Sequence, residues 1–173
     1  MTEITSDFFE SFDFSKNLVI CGPVGVGKTY IAKKLMEKYN SESIKYEISD
    51  AKFKKYIASG LMNHRKPDEW QCSIQMYPLE MLIRSSLVLY DDIGVSDVTD
   101  AYIRDLTYIL DERSIKKLPT IFTTNLTEKE LKEKLNERIV SRVLHNATVI
   151  VMRGEDRRRS STEIVTYSTQ KHA

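Results

Sequence analysis

Cysteine is nearly absent. The 173 residues hold two, Cys21 and Cys72, too few for a disulfide framework or a zinc site. That scarcity suits a reducing compartment. No apolar run reaches the roughly 18 residues a helix needs to cross a bilayer, so no membrane role is expected. An excess of either charge is also missing. Twenty-six Lys and Arg stand against 25 Asp and Glu, leaving +1. This excludes a polyelectrolyte-type nucleic-acid binder but leaves room for a local basic patch. Repeats, low-complexity stretches and Gly/Ser linkers are lacking too. The opening residues, Met1 to Asp7, are polar and acidic, unlike a secretory signal, so a cytoplasmic protein is expected. At roughly 100–200 residues per domain, the length corresponds to one domain with one core.

What is present is an alternation of short apolar runs and amphipathic stretches. The runs at 18–21, 86–90, 120–124 and 148–152 read as core strands, with a weaker one at 43–48. Helical spacing marks 27–39, 50–59, about 74–84, 99–113 and 136–143. Thr127 with Glu130 three residues on forms a capping box that opens another helix. Phe8, Phe9, Phe12 and Phe14 suggest an extended lead-in with aromatic anchors. The pattern predicts an α/β three-layer fold with a mostly parallel central sheet.

Gly22-Pro23-Val24-Gly25-Val26-Gly27-Lys28-Thr29 matches G-x-x-x-x-G-K-[ST], between an apolar strand and a helical pattern. Glycines let the main chain approach phosphate oxygens, and successive amides with the helix N-terminus attract the anion. Lys28 can reach the β- and γ-phosphates, and the Thr29 hydroxyl is a hard ligand for Mg²⁺. ATP and Mg²⁺ are the expected cofactors. Cys21, just before the loop, reads as a buried packing residue.

Two further strands end in polar tips. Asp91 and Asp92 follow Leu87-Val88-Leu89-Tyr90, and Asn125 follows Thr120-Ile121-Phe122-Thr123-Thr124. Open α/β sheets bind ligands outside such strand ends. Asp91 is expected to hold Mg²⁺ through its water shell, Asp92 to orient the attacking water, and Asn125 to bond the γ-phosphate or that water. Simple turn-forming roles are the alternative for all three.

In order, the P-loop, "LVLYDDIG" at 87–94, Asp111-Glu112-Arg113 before "PTIFTTNL" at 119–126, "ERIVSRV" at 137–143 and "GEDRR" at 154–158 resemble the AAA+ ATPases of the DnaC/DnaI helicase-loader and IstB group. The resemblance runs from about residue 17 to 159. It implies a lead-in at 1–16, an AAA+ ATPase domain at 17–160 without a separate helical lid domain, and a tail at 161–173. It also implies Asp91 and Asp92 as Walker B and Asn125 as sensor 1. Arg142 corresponds to an arginine finger that reaches the neighbouring subunit's ATP, with Arg138 a second candidate. Arg158 corresponds to a nucleotide-sensing residue. The implied function is ATP-dependent DNA replication: ATP hydrolysis that remodels or loads a replicative helicase on single-stranded DNA.

The group's DNA-binding helical segment corresponds to 50–56, where Lys52, Phe53 and Lys55 combine cations with an aromatic suited to base stacking. The same residues read as an ordinary amphipathic helix with Phe53, Tyr56 and Ile57 inward. His64, Arg65, Lys66 and Trp70 read as plain loop and packing. Two features are expected to matter against the group's pattern: few residues precede the core, and few follow the tail motif. Asp92, where glutamate is commoner among ATPases, gives some support to weak hydrolysis. An IstB-like ATPase assisting a transposase, and an ATP-gated adaptor with weak hydrolysis, are the alternatives. A small-molecule kinase is disfavoured by the lack of an arginine-rich lid and by Asn125.

Overall fold

Unbroken runs of Leu, Val and Ile become strands covered on both faces, and these build the centre of the molecule. A computed structural model describes residues 12–62 and 78–154. Within them the order is β1 (Asn17–Cys21), α1 (Lys28–Lys38), β2 (Lys45–Ser49), α2 (Asp50–Ala58), α3 (Pro78–Arg84), β3 (Leu87–Asp91), α4 (Asp100–Ile115), β4 (Thr120–Thr124), α5 (Glu128–Leu135), α6 (Glu137–Leu144) and β5 (Ala147–Val151). The strands form one sheet in the order β2-β3-β4-β1-β5, and every neighbouring pair is parallel. This is the expected α/β P-loop architecture. Among the described residues no helix is long and apolar enough to cross a membrane.

Side chains alternate between two cores. Leu18, Ile20, Leu87, Leu89 and Ile121 face α1, where they meet Ile31, Ala32 and Leu35. Phe12 and Phe14 seal this side, Phe14 lying edge-on to Tyr39 at 5.0 Å between ring centres. Val19, Ile48, Val88, Tyr90 and Phe122 face the opposite way, into the larger core built with α2 to α6.

Local chemistry sets most boundaries. Ser49, Thr99, Thr127 and Asn136 each accept a main-chain N–H at a helix start, and Thr127 with Glu130 completes the capping box. Gly60, at φ 72°, follows the end of α2. Strands β2, β3 and β5 differ from the expected ranges by one or two residues. One expectation fails in kind: 147–151 is an edge strand, not a core strand. Val149 and Val151 are 50% and 63% exposed, because among the described residues β5 pairs only with β1 and no strand lies beyond its outer flank.

Candidate nucleotide site

Parallel strands bring their C-terminal ends to one edge, and three of those tips carry the polar residues. Cys21 of β1 lies beside Thr124 of β4, and Tyr90 of β3 beside Phe122. The loop after β1 therefore sits next to the tip of β4, and Asp91 sits just beyond. Gly22 N–H donates to the Thr124 carbonyl at 3.3 Å. Gly22 itself has φ 152°, and a Cβ there would overlap the carbonyl oxygen of Met152. Gly22→Ala is expected to push β5 from β1, weakening the 2.7 Å bond from Met152 N–H to the Cys21 carbonyl. A loss of about 1–3 kcal/mol in thermal or denaturant unfolding is the expected size.

Gly25 and Gly27 continue the loop at φ 82° and 99°, left-handed conformations that glycine reaches without steric cost. Helix α1 starts at Lys28, so the free amides of its first turn open toward the loop. Lys28 is buried, and its ammonium donates to the carbonyls of Gly22 and Pro23, each at 2.8 Å.

Thr29 makes the decisive contact. Its hydroxyl donates to Asp91 Oδ1 at 2.8 Å, joining the start of α1 to the end of β3. The same Oδ1 accepts the Thr123 hydroxyl at 2.6 Å. Thr123 Oγ1 in turn accepts the Asp92 N–H at 2.8 Å. Fully buried Thr123 thus aims Asp91 and holds Asp92 in a left-handed conformation, φ 58°. Asp tolerates that region better than most residues. Thr123 was not singled out from the sequence. Its position two residues before Asn125 on an apolar strand was the available signal.

Val24, Gly25, Gly27, Lys28, Thr29, Tyr30, Asp92, Val95 and Asn125 line a cavity of about 530 Å³. Asp92 and Asn125 are exposed at its wall. Its volume falls within the roughly 300–1,000 Å³ of small-molecule pockets. The amides, the lysine and the hydroxyl suit a polyphosphate. Cys21 is partly exposed, not buried; its Sγ donates to the Ile150 carbonyl at 3.4 Å, and burial pushes the thiol pKa up.

Other expected residues lie elsewhere. Arg142 is at the opposite end of the sheet, on the wall of a second cavity with Asn17 and Thr120. Its Nε and Nη2 grip the two carboxylate oxygens of Asp111, and Nη1 donates to the Arg138 carbonyl at 3.1 Å. Arg138 is exposed. Arg158, Cys72 and the stretch with His64, Arg65, Lys66 and Trp70 lie outside the described residues.

The basic–aromatic segment needs a correction. Lys52 and Lys55 are exposed on α2, but Phe53 is fully buried, edge-on to Tyr90 and Tyr102 at 5.5 and 5.1 Å between ring centres. It cannot stack on a base. Helical spacing puts Phe53 on the inward stripe with Ile57, and the larger core has room for an aromatic there.

Comparison with known proteins agrees with this geometry. The chain resembles the crystal structure of the DnaC helicase loader, with TM-score 0.65, 24% identity and 85% of each chain covered. It also resembles DnaI, with TM-score 0.63, 23% identity, and 87% of this chain and 79% of that one covered. AMPPCP-bound DnaA from Aquifex aeolicus gives TM-score 0.65 and 18% identity over 87% of this chain but only 45% of the DnaA chain. These likenesses concern the fold. No curated protein sequence matches. The family model for IstB-like ATP binding proteins matches residues 5–163, nearly the whole length. On that match, which spans the P-loop and the strand tips beside it, the chain belongs to the family of IstB-like ATP binding proteins.

Proposed function

We propose that this chain binds ATP with Mg²⁺ and hydrolyses it, in an assembly where each subunit completes its neighbour's site. The observation that carries this reading is the Thr29–Asp91 hydrogen bond. It ties the phosphate loop to the acidic strand tip across one cavity. Gly22 to Thr29, with Pro23, Val24 and Val26 between the glycines, would wrap the phosphates. Thr29 and Asp91 present the hard oxygens that Mg²⁺ takes, so the donor set fits. When bound there, Mg²⁺ would supply positive charge beside the β- and γ-phosphates. Lys28 would exchange its two carbonyl partners for phosphate oxygens.

The Asp92 carboxylate would orient the attacking water and accept its proton as the bond to the β,γ-bridging oxygen breaks and ADP leaves. Asn125 would hold the γ-phosphate or that water. Arg158 keeps its expected role as a nucleotide-sensing residue, implied by the resemblance.

Arg142 faces away from its own subunit's cavity, as a group serving a neighbour must. Asp111 and the Arg138 carbonyl occupy three of its five N–H groups, leaving two for a partner's γ-phosphate. Wild-type turnover per subunit should rise with protein concentration. Arg142→Ala should lose about 10³-fold or more in turnover, while its own nucleotide affinity stays unchanged. Mixing it with Lys28→Ala should restore activity, because each supplies what the other lacks. Wild-type turnover independent of concentration, or an Arg142→Ala protein of full activity, would defeat the proposal.

The target we infer is a replicative helicase on single-stranded DNA. The fold likeness to a helicase loader supports it, as do the exposed cations Lys52 and Lys55, which can meet a phosphate backbone without base stacking. The family match also favours a second reading, an IstB-like ATPase serving a transposase on duplex DNA. Competition between single-stranded and duplex DNA for the ATP-bound protein separates the two.

A further inference from the structure

Asp50, the first residue of α2, is 1% exposed, and no ion pair reaches it among the described residues. Three donors converge on its carboxylate. The hydroxyls of Tyr90 (3.0 Å) and Tyr102 donate to Oδ1, and the Ser96 N–H donates to Oδ2 at 2.6 Å. These donors come from β3, from α4 and from the loop that follows Asp92. Burial, with the neighbouring hydroxyl and carboxylate, pushes the Tyr90 phenol well up, and burial with Asp50 does the same to Tyr102. Both therefore remain donors at neutral pH.

A buried carboxylate of this kind is costly unless its partners hold it, so it fixes them as firmly as they fix it. What it fixes includes the nucleotide site. The loop 92–97 begins at Asp92, and its Val95 lines the cavity one residue before the Ser96 amide. At its near end the loop is held by the Asp92 N–H on Thr123 Oγ1, the Ile93 N–H on the Thr123 carbonyl at 2.9 Å and the Thr124 hydroxyl on the Ile93 carbonyl at 3.0 Å. Beyond these and Asp50 it is tied by Gly94 beside Leu126 and Leu131, by Lys134 Nζ on the Val95 carbonyl, and by an exposed Lys54–Asp97 pair at 3.2 Å. Exposed pairs of that type contribute little. The Ser96–Asp50 bond, partly buried and made to a buried carboxylate, is the polar anchor of the loop's far end.

We propose that Asp50 is a positioning residue for the nucleotide site: its buried carboxylate anchors the far end of loop 92–97 and, together with the Thr123 and Thr124 bonds at the near end, sets how Asp92 and Val95 stand over the bound phosphates. The proposal rests on the reading of Asp92 as the water-orienting group. It also makes α2, which carries Lys52 and Lys55 on its exposed face, the element whose position governs that loop.

Asparagine at this position cannot serve all three donors. With its oxygen toward the phenols, its amide nitrogen faces the Ser96 N–H; flipped, it leaves one phenol proton without an acceptor, since the two hydroxyls, 3.2 Å apart, can satisfy only one of the two donors between them. Asp50→Asn is compared with Tyr102→Phe, which removes one donor distant from the loop and leaves the Ser96 bond. The readouts are amide hydrogen exchange at 93–97, ADP affinity, ATP turnover and melting temperature.

Asp50→Asn should speed exchange at Ser96 by roughly tenfold or more and lower turnover by a similar factor, with ADP affinity held within about threefold. Tyr102→Phe should lower the melting temperature comparably, yet keep turnover within about twofold and Ser96 protected. Equal turnover losses in the two variants would reduce Asp50 to a structural role and overturn the proposal. So would a wild-type Ser96 amide that exchanges as freely as that of exposed Asp97, a measurement that stands even if Asp50→Asn does not fold. Absence of wild-type ATP turnover would count against the proposed function alone, and the exchange comparison would still decide whether Asp50 anchors the loop.

Discussion

Lys28→Ala is expected to abolish nucleotide binding while leaving the fold intact. Among the described residues its ammonium is the one side-chain cation lining the cavity, and it is held within the phosphate loop by the Gly22 and Pro23 carbonyls. A triphosphate bound there would replace those carbonyls with charged oxygens, where charge-assisted bonds are roughly twice as strong. Removing one partner of a desolvated, hydrogen-bonded charge pair costs about 2–5 kcal/mol, or roughly 30- to 5,000-fold in affinity. The fold should tolerate the change, because Gly22 is only partly buried and Pro23 is exposed, so water can replace the lost donor. Calorimetry with ATP and Mg²⁺ should show binding for the wild type and none at matched concentrations for the variant, at nearly equal melting temperature. Undiminished binding would mean that the loop is not a phosphate cradle.

The second large effect is at the opposite end of the sheet. Arg113→Met is expected to destabilise the protein by about 3–5 kcal/mol, a large share of the 5–15 kcal/mol typical of a domain. The guanidinium is 2% exposed and makes four bonds. Nη1 donates to the Leu82 and Ser85 carbonyls at 2.7 and 2.9 Å, Nη2 to the Pro119 carbonyl at 2.6 Å, and Nε to Thr120 Oγ1 at 2.8 Å. It thereby pins the end of α3 to the start of β4 from the last turn of α4.

Burial lowers the Arg113 pKa to about 10, so the group is still charged at neutral pH. Methionine fills the space but leaves carbonyls with no donor, and each such loss costs about 1–3 kcal/mol. The melting temperature should fall by roughly 6–20 °C. Arg113→Lys should recover only part of the loss, since one ammonium cannot span all four acceptors. The nucleotide affinity of the folded fraction should not change, because the site is at the other sheet edge. A melting temperature within a degree or two of the wild type would refute this account.

Much of the site was legible because its chemistry is local. The glycines, lysine and threonine of 22–29 need only a strand before them and a helix after, and both are written in the flanking residues. Strand tips at Asp91, Asp92 and Asn125 followed from apolar runs ending in polar residues. Parallel pairing then brings such tips to one edge whatever the details of packing. The capping box of Thr127 and Glu130 is likewise satisfied within one turn of chain.

The residues that escaped such reading depend on neighbours distant in sequence. Phe53 had two plausible fates on one helix, and the packing of α2 against Tyr90 and Tyr102 put it inside. Val149 and Val151 look like core residues until the strand order makes β5 an edge. Arg113 continues the stripe of Leu106 and Leu110, but only the carbonyls of two other elements explain a cation there. Asp50 and Thr123 gain their roles from partners 46 and 32 residues away. Which chemistry the chain carries is written in residues 22–29, since a phosphate loop is defined by its own backbone. Which side chains aim that chemistry emerges on folding, because burial and shared hydrogen bonds are properties of surfaces brought together from distant parts of the chain.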